Sequence, residues 1–226
     1  MFVTIVFMSP RRTPVSRRDR PAKAPLSREV LVATGLRVMR EEGLERLTMR
    51  RLASELETGP ASLFVYVRNT AELHGALLDE LLADLDFSGE LIDLLYEYTV
   101  LLFGYPSLAR SVLTLRPSGP HYLRLIDTIL GLLLAEGVPV RQAAWGVDLL
   151  LQHATAVAAE QGSRDGATEA AGEEEELAAV VREADAGTYP HIHRTRDELL
   201  SGTGEQRTRW AFAALIKGLS TTPSTG

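Results

Sequence analysis

The sequence of 226 residues offers little of the chemistry that metal binding or catalysis requires. His191 and His193 could form a pair of metal ligands, but on an extended loop they would point in opposite directions, and no third ligand follows at the spacing of a metal site. The acidic run at 173–176 is typical of a solvated surface. The sequence lacks cysteine, a phosphate-binding loop, a dinucleotide-binding glycine pattern and a serine nucleophile elbow. We therefore predict no catalytic residue, no metal and no cofactor.

The charged residues divide the chain into a basic head and an acidic body. Residues 9–70 contain 13 Lys/Arg and 7 Asp/Glu, a net charge of +6, and the total of −6 leaves −12 for the remainder. A basic head attracts polyanions, whereas an acidic body resists non-specific binding to them. The division therefore favours one nucleic-acid-binding end. An uneven surface charge without a function is the alternative.

The sequence contains no predicted membrane span or export signal. The apolar segment at 1–8 is too short to cross a bilayer, and it lacks the basic flank and the cleavage site of a signal peptide. The absence of cysteine is compatible with a reducing compartment. We expect a cytoplasmic protein with no membrane partner.

Capping residues place four helices between residues 26 and 85. Ser27, Thr48 and Asn69 each precede an amphipathic segment as an N-cap, and Pro60 suits the first position of a further helix. The predicted helices end near 42, 56, 67 and 85. The second and third are short and are joined by a turn that contains Gly59, which is the pattern of a helix-turn-helix. The Pro- and Arg-rich residues 1–25 are predicted to be a disordered basic arm.

The rest of the chain also has helical periodicity without the alternation of strands, so the predicted fold class is all-α. The predicted helices cover 88–104, 107–115, 121–136, 141–161, 174–184 and 205–219. The Gly/Ala/Glu-rich segment 162–176 is predicted to be mobile. The helix at 141–161 is rich in small residues, and that at 205–219 is apolar nearly all round, so we expect the two to pack against their copies in a homodimer.

Residues 27–84 resemble, without a gap, the DNA-binding domain of the tetracycline-repressor (TetR) family of bacterial regulators. The resemblance rests on Leu-Thr-Met-Arg-Arg-Leu-Ala at 47–53, on Thr-Gly-Pro-Ala-Ser-Leu-Phe-Val-Tyr-Val-Arg-Asn at 58–69 and on the Glu-Leu pair at 72–73. A looser similarity to the C-terminal domain of the tetracycline repressor lies in the Tyr-Pro break at 105–106, the Ala-rich helix, Tyr-Pro-His at 189–191 and the segment 198–205.

The resemblance implies an all-α protein with a helix-turn-helix DNA-binding domain at 26–70. A linking helix at 71–85 follows, and then a ligand-binding and dimerisation domain at 86–226. Three positions depart from the family, which usually has Lys at Thr70, Tyr at Phe64 and His at Tyr66. The missing Lys removes one phosphate contact, although backbone amides at the start of the fourth helix can still hold that phosphate.

The predicted DNA-contacting residues lie in and around the third helix, which in a helix-turn-helix enters the major groove. Leu63 and Val67 are expected to face the domain core, and among the exposed positions of this helix Ser62 and Tyr66 can hydrogen-bond. By the resemblance Arg50 also reaches the groove, where an Arg commonly contacts guanine; a solvated charge is the alternative. Core packing is the alternative for positions 64–66. The full predicted set is Arg50, Thr58, Gly59, Pro60, Ala61, Ser62, Phe64, Val65, Tyr66 and Thr70.

The predicted effector site lies among the helices at 88–104, 121–136 and 141–161. Its candidate lining residues are Phe103, His121, Trp145, Gln152 and His153, and ordinary core packing is the alternative for each. The balance of apolar and polar groups favours a small, largely apolar effector. We therefore predict a homodimeric repressor that binds double-stranded DNA at a pseudo-palindromic operator and is released from it by this effector. A helical enzyme, or a module that keeps the fold without binding DNA, is the alternative.

Overall fold

The computed structural model describes residues 25–165 and 170–223. Within these ranges the protein consists of helices and connecting turns without a strand, which confirms the predicted all-α class. The α-helices are α1 (Arg28–Glu42), α2 (Met49–Glu55), α3 (Pro60–Leu63), α4 (Thr70–Leu81), α5 (Leu91–Phe103), α6 (Pro106–Val112), α7 (Pro120–Ala135), α8 (Val140–Asp165), α9 (Ala170–Glu183), α10 (Pro190–Leu199) and α11 (Gly204–Thr221). No helix in the described part of the chain is long and apolar enough to span a membrane.

Helices α1, α2 and α4 begin where their capping residues predict. The side chains of Ser27, Thr48 and Asn69 accept hydrogen bonds from the backbone N–H groups three residues later, at distances of 3.3, 3.0 and 2.8 Å. These bonds satisfy N–H groups that have no partner inside α1, α2 and α4. Leu63 and Val67 are buried, as predicted, and close the core beneath α3.

Helix α4 continues from this domain into the C-terminal part of the protein. It packs against α1 at Gly35, where an added Cβ would lie 3.1 Å from the side chain of Leu77. It also contacts α6 and α7, so α4 contributes to both parts of the protein. Helix α6 in addition meets the segment before α2 directly, where Ser107 and Arg110 contact Glu45.

Helix α8 is the centre of the C-terminal domain and packs against α5 and α6. Small side chains allow this close contact, since Ala143, Ala154 and Ala158 are fully buried in the protomer itself. The Tyr98 hydroxyl of α5 lies 3.1 Å from Thr155 Oγ1 of α8, and burial raises the pKa of this phenol. Helix α11 covers α8 with Phe212, whose ring meets the His153 ring edge-on at 5.5 Å.

Besides shifts of three or four residues at the end of α4, the start of α5 and the end of α6, four expectations are corrected. Helix α3 ends at Leu63 rather than at residue 67, because Phe64, Val65 and Tyr66 form a turn in which the Tyr66 N–H donates to Leu63 C=O. Helix α8 continues to Asp165 rather than 161, and α9 begins at 170, within the segment predicted to be mobile. Its Ala and Glu residues are good helix formers, which outweighs the nearby glycines. Residues 1–24 of the predicted arm lie outside the described residues.

The fourth correction concerns His191 and His193, which lie on α10 and not on an extended loop. Pro190 occupies the first helical position, where a proline favours helix formation. Two residues along a helix still leave the imidazoles on different sides, and His193 Nδ1 lies 3.1 Å from the Ala184 carbonyl oxygen.

Candidate nucleic-acid interface and ligand cavity

The turn between α2 and α3 is held by backbone hydrogen bonds. The N–H groups of Glu57 and Thr58 donate to the carbonyls of Ser54 and Ala53, which is the Schellman pattern of a helix C-terminus. Glu57 occupies the left-handed position of this pattern with φ of 46°, where glycine is usual. Gly59 is extended and precedes Pro60 as the cap of α3. The chain therefore reverses its direction at Glu57, and Gly59 is the N-cap of α3.

The predicted DNA-contacting residues form one accessible surface around α3. Phe64 is 50% exposed and Val65 80% exposed, so neither packs in the core of the domain. Thr58 and Tyr66 are half-buried. The remaining exposed members are Arg50, Gly59, Pro60, Ala61, Ser62 and Thr70. Because this segment is predicted to face DNA, we call residues 58–66 the DNA-facing turn.

The hydroxyl of Tyr66 has a structural partner that sequence reasoning missed. It donates a hydrogen bond of 2.7 Å to the carbonyl of Leu26, just before α1. This bond ties the start of α1 to the end of the DNA-facing turn. The phenol therefore uses its only proton within the protein, and Ser62 remains the exposed hydroxyl on α3.

The arginines of α1 and α2 differ in their partners. Arg51 pairs with Glu42 and Glu55, and Arg37 pairs with Glu41 and Glu55. Hydrogen bonds from Arg51 lower the pKa of both Glu42 and Glu55. Arg50 is exposed and pairs with no carboxylate in the described chain. Its contact with DNA stays a prediction.

A cavity of about 190 Å³ lies between α6, α7 and α8. We call it the α6–α8 cavity. It combines apolar side chains with several hydrogen-bonding groups. Its lining includes Val112, Leu113, Leu115, Arg116 and Pro117 from α6 and the following loop, Tyr122 and Ile126 from α7, and Asp148, Leu151, Gln152 and Thr155 from α8.

Of the five residues predicted to contact an effector, Gln152 lines this cavity. Trp145 is 60% exposed on α8, two turns before Gln152 and outside the lining of this cavity, and His153 packs against Phe212. Phe103 is half-buried at the end of α5, and His121 lies in the first turn of α7. The structure does not gather the five around the α6–α8 cavity, and their contact with an effector stays a prediction.

Two polar contacts join α4 to the segment that lines this cavity. His74 Nδ1 lies 2.7 Å from Ser111 Oγ, and burial lowers the pKa of this histidine. The Tyr122 N–H donates to Asp79 Oδ1 at 2.8 Å. Asp79 thus caps α7 from another helix, because Gly119 at the N-cap has no side chain to do so.

The contact of Asp79 with α7 depends on the absence of a side chain at position 119. A Cβ added to Gly119 would lie 2.1 Å from Asp79 Cγ. Nδ1 of His121 lies 3.3 Å from Asp79 Oδ2 but forms no hydrogen bond. In the sequence, the signal for this contact is the single carboxylate of Asp79 among the leucines of α4. The Gly-Pro pair at 119–120 predicted only the start of a helix.

The fold and the DNA-facing turn define a helix-turn-helix DNA-binding protein with a helical C-terminal domain. A sequence profile of the tetracyclin repressor-like C-terminal domain matches residues 96–222. The protein is also similar to SCO7704 of Streptomyces coelicolor, described as a transcription regulator, with 47% identity, 90% of this chain and 99% of that chain covered, and a TM-score of 0.75. The chain belongs to the TetR family of transcriptional regulators.

Two further relatives extend the comparison. ActR of Streptomyces coelicolor, solved in complex with actinorhodin, is 30% identical, with 87% of this chain and 96% of that chain covered and a TM-score of 0.74. The transcriptional repressor DrrR1 of Streptomyces coeruleorubidus is 41% identical over 63 residues, which are 28% of this chain and 23% of that repressor. Membership in a family of regulators confirms the prediction that the chain is not an enzyme.

Proposed function

We propose that this regulator represses transcription by binding a pseudo-palindromic operator as a homodimer, and that a small, largely apolar effector releases it. The observation that carries the proposal is the double role of residues 111–122. They line the α6–α8 cavity on one side and hold α4 through Ser111 and Tyr122 on the other. The proposed site of action is the cytoplasm, where the operator DNA lies.

The size of the cavity supports a mechanism in which the effector moves α6 and α7. Ligand pockets usually measure about 300–1,000 Å³, whereas this cavity has about 190 Å³. An effector that fills such a pocket must therefore widen it. Widening displaces residues 111–122, and their contacts with His74 and Asp79 transmit the displacement to α4.

A displacement of α4 matters for DNA binding because two half-sites must be read together. The two recognition elements of a dimer are about 34–36 Å apart when they enter successive major grooves. An effector that prefers a conformer with a different spacing lowers operator affinity by its differential affinity for the two conformers.

Exposed side chains on α8 and α11 support a dimer through these helices. Trp145 and Leu149 of α8 are 60% and 41% exposed, and Trp210 of α11 is 73% exposed. The two helices are neighbours, since a Cβ at Gly146 would lie 2.4 Å from the side chain of Leu219. Regulators of this family are dimers, and a second copy would cover these apolar side chains. Ala154 takes no part, because it is buried within its own protomer.

The relatives support the remaining parts of the proposal. ActR has been solved with actinorhodin and with (S)-DNPA, which are small molecules. DrrR1 is a repressor and matches this chain over a short stretch. From these similarities we infer that the protein is a repressor and that its effector is a small molecule.

The test is a mobility-shift assay with duplex DNA from the region upstream of the protein's own gene. We expect a shift that resists competitor DNA and is reversed by one or more compounds of an apolar small-molecule library. The proposal fails if affinity for every genomic fragment stays at the non-specific level of about 10⁻⁴–10⁻⁶ M at physiological salt.

Sedimentation tests the dimer separately. Leu149→Asp or Trp210→Asp would place a charge in the proposed interface and should give monomers at micromolar concentration. Leu123→Asp is the matched control, because this leucine is 56% exposed on α7, outside the two helices. Dimers that survive both interface substitutions would contradict the arrangement.

A further inference from the structure

The DNA-facing turn has an unusual surface for a protein that binds a polyanion. Between Glu57 and Arg68 the sequence contains no charged residue. The exposed part of the turn instead presents the ring of Phe64 and the branched side chain of Val65. Large apolar side chains grouped on a surface commonly mark a site of contact with a partner.

Hydrogen-bond readout of bases has few groups available on this surface. Base edges are usually read by Arg, Lys, Asn or Gln, which present paired donors and acceptors. Residues 58–67 include none of these types. The Tyr66 proton is engaged by Leu26, which leaves the hydroxyl of Ser62 as the exposed polar side chain on α3.

The major groove displays one apolar group, the 5-methyl of thymine. We propose that Phe64 and Val65 specify the operator by contact with thymine methyl groups. This inference rests on the proposed operator binding, and it adds which chemical group of the DNA the turn recognises. Phe64 also lines a shallow groove with Pro60, Met49 and Arg50. A methyl against Phe64 would therefore lie close to the guanidinium of Arg50, which supplies the positive charge that the turn lacks.

The probe is duplex DNA selected by the protein from a pool with a randomised core. The selected sequence is then resynthesised with deoxyuridine in place of each thymidine in turn. This replacement removes the methyl group and keeps every hydrogen-bonding atom of the base. Burial of one methyl group is worth about a fourfold change in affinity, so we expect at least one replacement in each half-site to weaken binding by about that factor.

Substitution of the two side chains assigns the effect. Val65→Ala should bind the thymine and uracil duplexes equally at the position that Val65 contacts, and Phe64→Ala should do so at its own position. Such a double-mutant cycle isolates the pairwise contact from other effects of either change. Val65 is 80% exposed, so its truncation leaves the core intact even if Phe64→Ala lowers stability. Ser62→Ala is the matched control on the same helix and should keep the full ratio between thymine and uracil.

The outcomes separate this inference from the proposed function. Selection of a defined sequence that binds equally well with uracil overturns methyl readout and leaves operator binding intact. A uracil effect that persists unchanged in both Val65→Ala and Phe64→Ala shows that other atoms or the DNA shape sense the methyl, which also overturns it. Failure to select any sequence contradicts the proposed function itself.

Discussion

The DNA-facing turn and the α6–α8 cavity distribute polarity in opposite ways. The turn, whose proposed partner is a polyanion, exposes Phe64 and Val65 and carries no charge. The cavity, whose proposed ligand is largely apolar, is lined by Asp148, Gln152 and Arg116. On the proposed roles, the groups that would give affinity in each site differ from those that would give selectivity. The arginines of the N-terminal arm would attract DNA while Arg50 and the turn would select its sequence, and apolar walls would hold the effector while polar groups would orient it.

The two regions also differ in how they are held. The turn is held largely by contacts near in sequence, such as the Schellman hydrogen bonds of Glu57 and Thr58, to which Tyr66 adds one bond to Leu26, 40 residues earlier. The walls of the cavity depend on contacts between distant residues, such as Asp79 with Tyr122. A rigid reading surface and a wall that can shift suit the proposed roles, and α4 connects them.

The largest effect is expected when the contact between Asp79 of α4 and the start of α7 is broken. Gly119→Ala would force Asp79 away from the N-terminus of α7, since the new Cβ would lie 2.1 Å from its carboxyl carbon. We expect the free energy of unfolding to fall by about 3 kcal/mol, as in strong overpacking, and the effector response to be lost. Urea unfolding and DNA release by the effector measure the two.

Gly131→Ala is the matched control for this change. It lies on the same helix, and no atom lies within 4 Å of the added Cβ. Replacement of glycine by alanine inside a helix should raise stability by about 1 kcal/mol. If Gly119→Ala were equally stabilising, the close contact with Asp79 would not limit this position.

A second prediction separates the residues that attract DNA by their charge from those that select its sequence. Arg50→Ala should cost about 2 kcal/mol of operator binding and relax the preference at one base pair. Removal of residues 1–24, which include Arg11, Arg12, Arg17 and Arg18, should instead weaken all sequences alike and flatten the salt dependence. Binding titrations over a range of salt, on operator and scrambled duplexes, measure both. Equal, sequence-independent losses from the two changes would refute the division.

The sequence predicted the first region better than the second, for a physical reason. Caps at Ser27, Thr48 and Asn69 act within three residues, so the pattern alone locates their helices. The contact of Asp79 with α7 spans 43 positions, and the lone carboxylate on the leucine-rich face of α4 does not by itself identify its partner. Likewise, periodicity shows which faces of α8 are apolar but not which of them another helix covers, so the sequence does not predict that Trp145 is 60% exposed.

A third prediction tests which part of α8 meets the effector. Gln152→Ala should weaken effector binding by about 1 kcal/mol, the usual net worth of one hydrogen bond, and leave DNA affinity without effector unchanged. Trp145→Ala, two turns earlier on the same helix and outside the lining of the cavity, should leave effector affinity unchanged. Calorimetric titration of each variant with a compound found in the screen provides the measurement. A larger loss from Trp145→Ala would move the effector site toward the start of α8.

The smallest effect is expected at His74, on α4 between the two regions. Burial lowers the pKa of this imidazole below its ordinary value of 6.5, so the folded protein favours the neutral form. Above pH 6.5 both the folded and the unfolded chain hold it neutral, and it adds no pH dependence. As the pH falls below 6.5 the unfolded chain takes up a proton first, so the free energy of unfolding decreases until the folded pKa is passed. His74→Gln should therefore flatten the decline of stability on the acid side of pH 6.5, measured by urea unfolding at several pH values.

Ser111→Ala removes the partner of His74 but keeps the titrating group, so the stability of this variant should still decline on the acid side. Parallel pH profiles for the protein and His74→Gln would show that α4 is not sensitive to this proton.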